Sequence, residues 1–133
     1  MADSPDGILD TSFFIAQEQG RSLRPVPLPS RLAVSVVTLA ELRLAVLNNS
    51  DPVEQRRRTT TFQRAVRMRS YPIDEMVAFH WATLRSAARS LSQSRINDLW
   101  IAATALALRV PVITQDTGFV RLSAAGGPSV ILV

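Results

Sequence analysis

Short apolar runs rich in branched residues alternate along this chain with longer stretches whose apolar positions recur every three or four residues. Residues 7–10 form the first run and predict a short buried strand. "LAVSVV" at 32–37 predicts a second, "SYPI" at 70–73 a short third, "VPVIT" at 110–114 a fourth and "PSVILV" a last one after the Gly126-Gly127-Pro128 turn. Between them lie helical patterns. Thr11 or Ser12 is placed to cap a helix running to about Gln17. "TLAELRLAVLNN" carries helical spacing until Asn48, Asn49 and Ser50 end it. "DPVE" at 51–54 opens the next helix, with Asp51 as cap, Pro52 at the first helical position and Glu54 completing a capping box. That helix runs to about Met68, with Arg57, Thr60, Thr61, Arg64 and Arg67 on one side and Phe62, Ala65 and Val66 on the other. Asp74 caps a helix over 74–92 whose apolar stripe is Val77, Trp81, Leu84, Ala88 and Leu91. "INDLWIAATALAL" is apolar nearly all round, hence a buried helix. Pro25, Pro27 and Pro29 make 20–30 an extended connector.

Strands alternating with helices predict an α/β fold built on a mostly parallel sheet. No repeat or low-complexity tract divides the chain, so residues 1–133 are expected to form one domain.

Composition then narrows the chemistry. The chain has 133 residues, 47% of them hydrophobic, enough for a packed core. It has no cysteine, which excludes disulfides and thiolate metal sites and suits a reducing, cytoplasmic setting. One histidine, His80, excludes any site built on two imidazoles, and its place at a helix edge reads as structural. The opening MADSPDG is polar and acidic, unlike a secretory signal, and the longest apolar run, Leu99 to Leu108, is too short to span a bilayer. All 15 basic residues are arginine. Without lysine there is no P-loop and no Schiff-base chemistry. The net charge of +4, carried by guanidinium groups, suits phosphate, although arginine-only usage also follows from genome composition.

Four carboxylates break the apolar pattern. Asp10 and Asp116 follow the first and fourth strands, at the strand ends where open α/β sheets bind ligands. Glu41 shares a helix face with Val37, Leu44 and Ala45, and Asp98 with Ile101, Ala102 and Ala105. Caps and turns account for Asp10, Asp98 or Asp116 taken singly. No cap accounts for Glu41, and Arg43 at i+2 faces away from it. Together, four acids at strand ends point to a site for a hard cation. Oxygen-only ligation favours Mg²⁺, with Mn²⁺ as a substitute, and such sites hydrolyse phosphodiesters. Thr11, Ser12, Asn97 and Thr114 are the adjacent polar groups, available to hold a carboxylate, a water or a phosphate oxygen, or simply to cap and solvate. Trp81 and Trp100 read as core or interface residues.

Four stretches in this order, "ILDTSFFIA", "SVVTLAEL", "RINDLWIAATAL" and "VPVITQDTGF", resemble the PIN-domain nucleases, and within them the VapC toxins of bacterial toxin–antitoxin pairs. The resemblance covers nearly the whole chain. It implies a three-layer α/β/α sandwich and a catalytic, metal-binding quartet of Asp10, Glu41, Asp98 and Asp116. Thr11 or Ser12 then matches the family's small hydroxyl after the first acid, and Asn97 the polar residue before the third. It implies a Mg²⁺-dependent endoribonuclease acting on tRNA or rRNA, a homodimer, and inhibition by a VapB-like antitoxin. Many members carry a further acid where this chain has Gly118, which bears on a second metal site. The alternative is a PIN-like module that binds RNA without cleaving it. A groove for an antitoxin segment is expected where Phe13, Phe14 or Ile15 and the 37–48 helix expose apolar residues, unless these face the core or a homodimer interface.

Overall fold

The computed structural model describes residues 4–90 and 95–133. Its elements are β1 (Gly7–Leu9), α1 (Thr11–Glu18), β2 (Leu32–Ser35), α2 (Val36–Leu47), α3 (Pro52–Val66), β3 (Arg69–Tyr71), α4 (Glu75–Ala87), α5 (Ile96–Leu108), β4 (Val112–Thr114), α6 (Gly118–Ala124) and β5 (Val130–Leu132). The strands form one sheet in the order β3-β2-β1-β4-β5, and every neighbouring pair is parallel. The three-layer α/β/α fold inferred from the sequence is thus present, with a fully rather than mostly parallel sheet.

Alternation along the short strands creates the layers, because successive side chains point to opposite faces. Ile8, Ala33 and Val112 pack with Leu84 of α4, Leu99 and Ile101 of α5, and Phe119 of α6. Leu9, Val34 and Ile113 pack with Phe13 and Phe14 of α1, Leu42 of α2 and Ala65 of α3. Ile101 through Ala105 are all 0% exposed, which explains why α5 shows no polar face there. The Thr104 hydroxyl, buried within this run, donates to the Trp100 carbonyl at 2.8 Å. Trp81 and Trp100 stack at 4.8 Å between centroids, joining α4 to α5 as half-buried residues packed against the core. The chain leaves β1 toward β2 on one side and returns to β4 on the other, so the crevice at their carboxyl ends is the sheet's switch point.

Several local expectations are corrected. Asp10, rather than Thr11 or Ser12, caps α1, accepting from the Ser12 backbone N–H at 3.3 Å. β2 ends at Ser35, whose hydroxyl caps α2, so Val36 and Val37 are helical. Asp51 caps α3 as expected, but no capping box forms: the Asp51 N–H bonds Asn49 and Glu54 pairs with Arg57. On α3 it is Thr61 that faces inward, bonding Glu18, and Val66 that faces solvent. Phe13 and Phe14 are buried against each other edge to face, so α1 does not present them as a groove. α4 ends at Ala87, and Leu91 of the expected stripe lies outside the described residues. α6 was not foreseen, because seven residues are too few to establish a helical period.

Arg109 closes α5 at φ 59°, ψ 44°, a left-handed position normally filled by glycine. The Val110 N–H reaches back to the Ala105 carbonyl at 3.0 Å, which holds the residue there. Arg109→Gly removes the Cβ strain and should stabilise the fold by about 0.5–1 kcal/mol after its greater unfolded-state entropy is discounted. Arg109→Val should lower stability. Paired thermal melts check both signs.

Candidate metal centre

Asp10 emerges from β1 into the switch-point crevice and is only 4% exposed. Besides capping α1, its carboxylate accepts a hydrogen bond from the Thr114 hydroxyl at 2.8 Å. Thr114 ends β4 and is itself fully buried. Its single proton goes to Asp10, so at the 3.0 Å contact between the Ser12 and Thr114 hydroxyls Ser12 is the donor. The Thr114 oxygen also accepts from the Asp116 N–H at 2.9 Å, and the Ser12 oxygen from the Gln115 N–H at 3.0 Å. Burial pushes the Asp10 carboxyl pKa upward, against the bonds from Ser12 and Thr114.

α5 brings Asn97 and Asp98 to the same edge in its first turn, where the helix dipole favours negative charge. Asp98 does not cap its own helix; Arg95 holds that position without a side-chain cap bond. The Asp98 carboxyl is raised to about 6 by burial first, then by the negative charges of Asp10 and Asp116, with the bond from Arg95 acting in the opposite direction. Asp116 begins α6 through an Asx turn, its Oδ1 accepting from the Gly118 N–H at 2.8 Å. Its Oδ2 takes a bond from Arg95 Nη1, which also bonds Asp98 at 3.1 Å. One guanidinium therefore bridges two of the four acids.

Glu41 projects from α2 to the side of this group. Its Oε1 accepts from the Thr11 hydroxyl at 2.6 Å and its Oε2 from the Asn97 amide at 3.4 Å. The Thr38 hydroxyl lies 3.0 Å from that of Thr11. Arg43 turns away and sits over the Phe62 ring, so the only carboxylate on α2 is held by neutral donors.

The structure thus brings Asp10, Asp98 and Asp116 into electrostatic contact and sets Glu41 beside them, linked through Thr11 and Asn97. All four supporting residues named from the sequence bond within this group. Among the described residues, however, no three acidic or imidazole side chains converge tightly enough to hold an ion as they stand. Each acid is turned toward a protein donor instead. The donor set still suits a hard cation. It is all oxygen, the charges of Asp10 and Asp116 add to burial in raising the Asp98 carboxyl pKa, and a guanidinium already sits where positive charge is favoured. Arg95 and Thr38 are the participants the sequence reading missed. For Arg95 the available signal was its i, i+3 spacing to Asp98.

Residues 8–125 match the PIN domain family. Ribonuclease VapC5 of Mycobacterium tuberculosis is 45% identical over 128 residues, covering 96% of this chain and 95% of that protein. Ribonuclease VapC4 of the same organism is 43% identical over 121 residues, covering 86% of this chain and 89% of that one. Among solved structures, VapBC-5 from Mycobacterium tuberculosis, a member of the VapBC family of toxin–antitoxin systems, superposes with a TM-score of 0.83 at 43% identity. The superposition covers 97% of this chain and 100% of that one. VapBC2 from Rickettsia felis, at 16% identity and a TM-score of 0.69, shares the fold.

With its pKa raised from 3.8 to about 6, Asp98 binds its proton more readily folded than unfolded. Its ionisation therefore costs the fold stability at neutral pH, and this cost disappears as pH falls through 6 toward 3.8. Without divalent ions, Asp98→Asn should be more stable than the parent at pH 8, on the order of 1 kcal/mol once solvent screening of a partly exposed group is allowed for. The difference should shrink below pH 5. Urea unfolding at the two pH values measures it.

Proposed function

The chain belongs to the PIN-domain family, and from that premise we propose that it is a Mg²⁺-dependent endoribonuclease toxin of the VapC kind. It hydrolyses phosphodiester bonds of structured RNA, of the tRNA or rRNA class, in the cytoplasm, and a VapB-like antitoxin restrains it. The observation that carries this reading is the convergence of acids from four separate elements on the switch-point edge, three of them electrostatically coupled. Relatives named as ribonucleases and a toxin–antitoxin structure support it.

Asp10, Glu41, Asp98 and Asp116 are the residues that hold the ion, and oxygen-only ligation favours Mg²⁺, with Mn²⁺ as substitute. A divalent ion in such a site supplies Lewis acidity toward a phosphate oxygen and an attacking water. The protein's own part is positioning. Thr114 and Ser12 fix Asp10 on a rigid strand end, while Thr11 and Asn97 fix Glu41. Apolar residues left outside, Leu44 and Leu47 on α2 and Met76 and Phe79 on α4, support a homodimer and an antitoxin as their cover.

Total RNA incubated with the purified chain should be cut in Mg²⁺ or Mn²⁺ and left intact in EDTA, with discrete new 5′ ends. Asp10→Asn should lower the rate at least 100-fold while the protein stays folded. Undiminished cleavage by Asp10→Asn, or in EDTA, overturns the assignment. RNA binding without cleavage in any divalent ion favours the inactive RNA-binding module instead. With RNA below saturation, the rate should also fall as salt rises, since arginine–phosphate contacts release counterions.

A further inference from the structure

Taking the quartet as a metal site, as proposed above, we infer that Arg95 stands in for a second metal ion, so that this chain binds one divalent ion rather than two. Gly118 is the residue that makes the substitution sterically possible.

Three observations carry the inference. The Arg95 guanidinium already performs an ion's bridging role, bonding Asp98 and Asp116 through the single nitrogen Nη1. These two acids come from different elements, α5 and the turn before α6, and no other protein cation pairs with either among the described residues. Among the described residues the other two acids, Asp10 and Glu41, are bonded by neutral donors and by no guanidinium.

The second observation is steric. A Cβ placed on Gly118 would collide with the Arg95 guanidinium. The backbone N–H of the same glycine bonds Asp116, so it cannot move away without releasing that acid. Any side chain at position 118 therefore forces the Arg95 guanidinium to shift from its present place beside Asp98 and Asp116.

The third is what the guanidinium leaves over. Arg95 Nε and Nη2 make no hydrogen bond among the described residues. Its side chain is 37% exposed and borders a cleft of about 470 Å³ lined also by Ser90, Thr117, Gly118 and Arg121. A planar donor edge facing an open cleft suits a phosphodiester oxygen, the group that a second ion would otherwise meet. A fixed cation at this place also repels a second divalent ion.

Isothermal titration of RNA-free protein with Mn²⁺ at pH 7.5 tests this, with the bound number checked by electron paramagnetic resonance. The parent chain should take up one ion. Arg95→Gln should take up two, or bind the first at least tenfold more tightly, whereas Arg95→Lys, which keeps the charge, should remain at one. Gly118→Asp, which displaces the Arg95 guanidinium and adds a carboxylate, should also reach two. Two ions in the parent chain overturn the inference, as does unchanged stoichiometry and affinity in a folded Arg95→Gln. If Arg95→Gln does not fold, the parent count and Gly118→Asp decide it. No Mn²⁺ uptake by any of these proteins fails the metal reading itself, which is a separate result.

Discussion

A carboxylate buried at the end of a central strand has to be hydrogen-bonded, and the arrangement around Asp10 follows from that requirement. Its donors are the Ser12 N–H on α1 and the Thr114 hydroxyl at the end of β4. Because a threonine has one proton to give, the remaining contacts of that oxygen must be accepted ones, from Ser12 and from the Asp116 N–H. β1, α1, β4 and the turn into α6 are thereby fixed to one another by a few short bonds. The parallel ladder reinforces them, with the Asp10 N–H on the Ile113 carbonyl and the Val133 N–H on that of Thr114. Both strands end on the same edge only because they are parallel.

That edge concentrates negative charge, and three devices make it tolerable. The N-terminal turn of α5 faces Asp98. The hydroxyls and amide around Asp10 and Glu41 replace water. Arg95 neutralises part of the Asp98 and Asp116 charge. None of them is complete, since Asp10 and Asp98 still have raised pKa values. For both acids burial is the first cause, and at Asp98 the charges of Asp10 and Asp116 add to it. A cation bound among these acids would favour their ionised forms, coupling stability, pH and metal in one set of residues.

Rigidity at the site contrasts with the outer faces of the helices. The sheet and α5 are closely packed, with Ile101 through Ala105 wholly enclosed, so the acids stand on an unyielding base. Leu44, Leu47, Met76 and Phe79 remain exposed on α2 and α4, away from the sheet. Burial of Phe13 and Phe14 takes both rings off the surface of α1, while these residues of α2 and α4 stay exposed.

The sequence by itself determined the element types and the acids. A period of two against a period near 3.6 is written in which residues are apolar, so the strands and the long helices were legible, as was the placement of Asp10 and Asp116 after their strands. Glu41 stood out because no local role explained a carboxylate on an apolar helix face. The short α6 and the end of β2 were not legible, since seven residues give no period and Val36 and Val37 suit strand and helix alike. Only tertiary structure decided that Asp10 both caps α1 and faces the site, that α1 buries both phenylalanines, and that Arg95 bridges acids 3 and 21 residues away. Such pairings depend on how α5 and the β4–α6 turn are set against each other by the core. No periodicity within a single element records that distance.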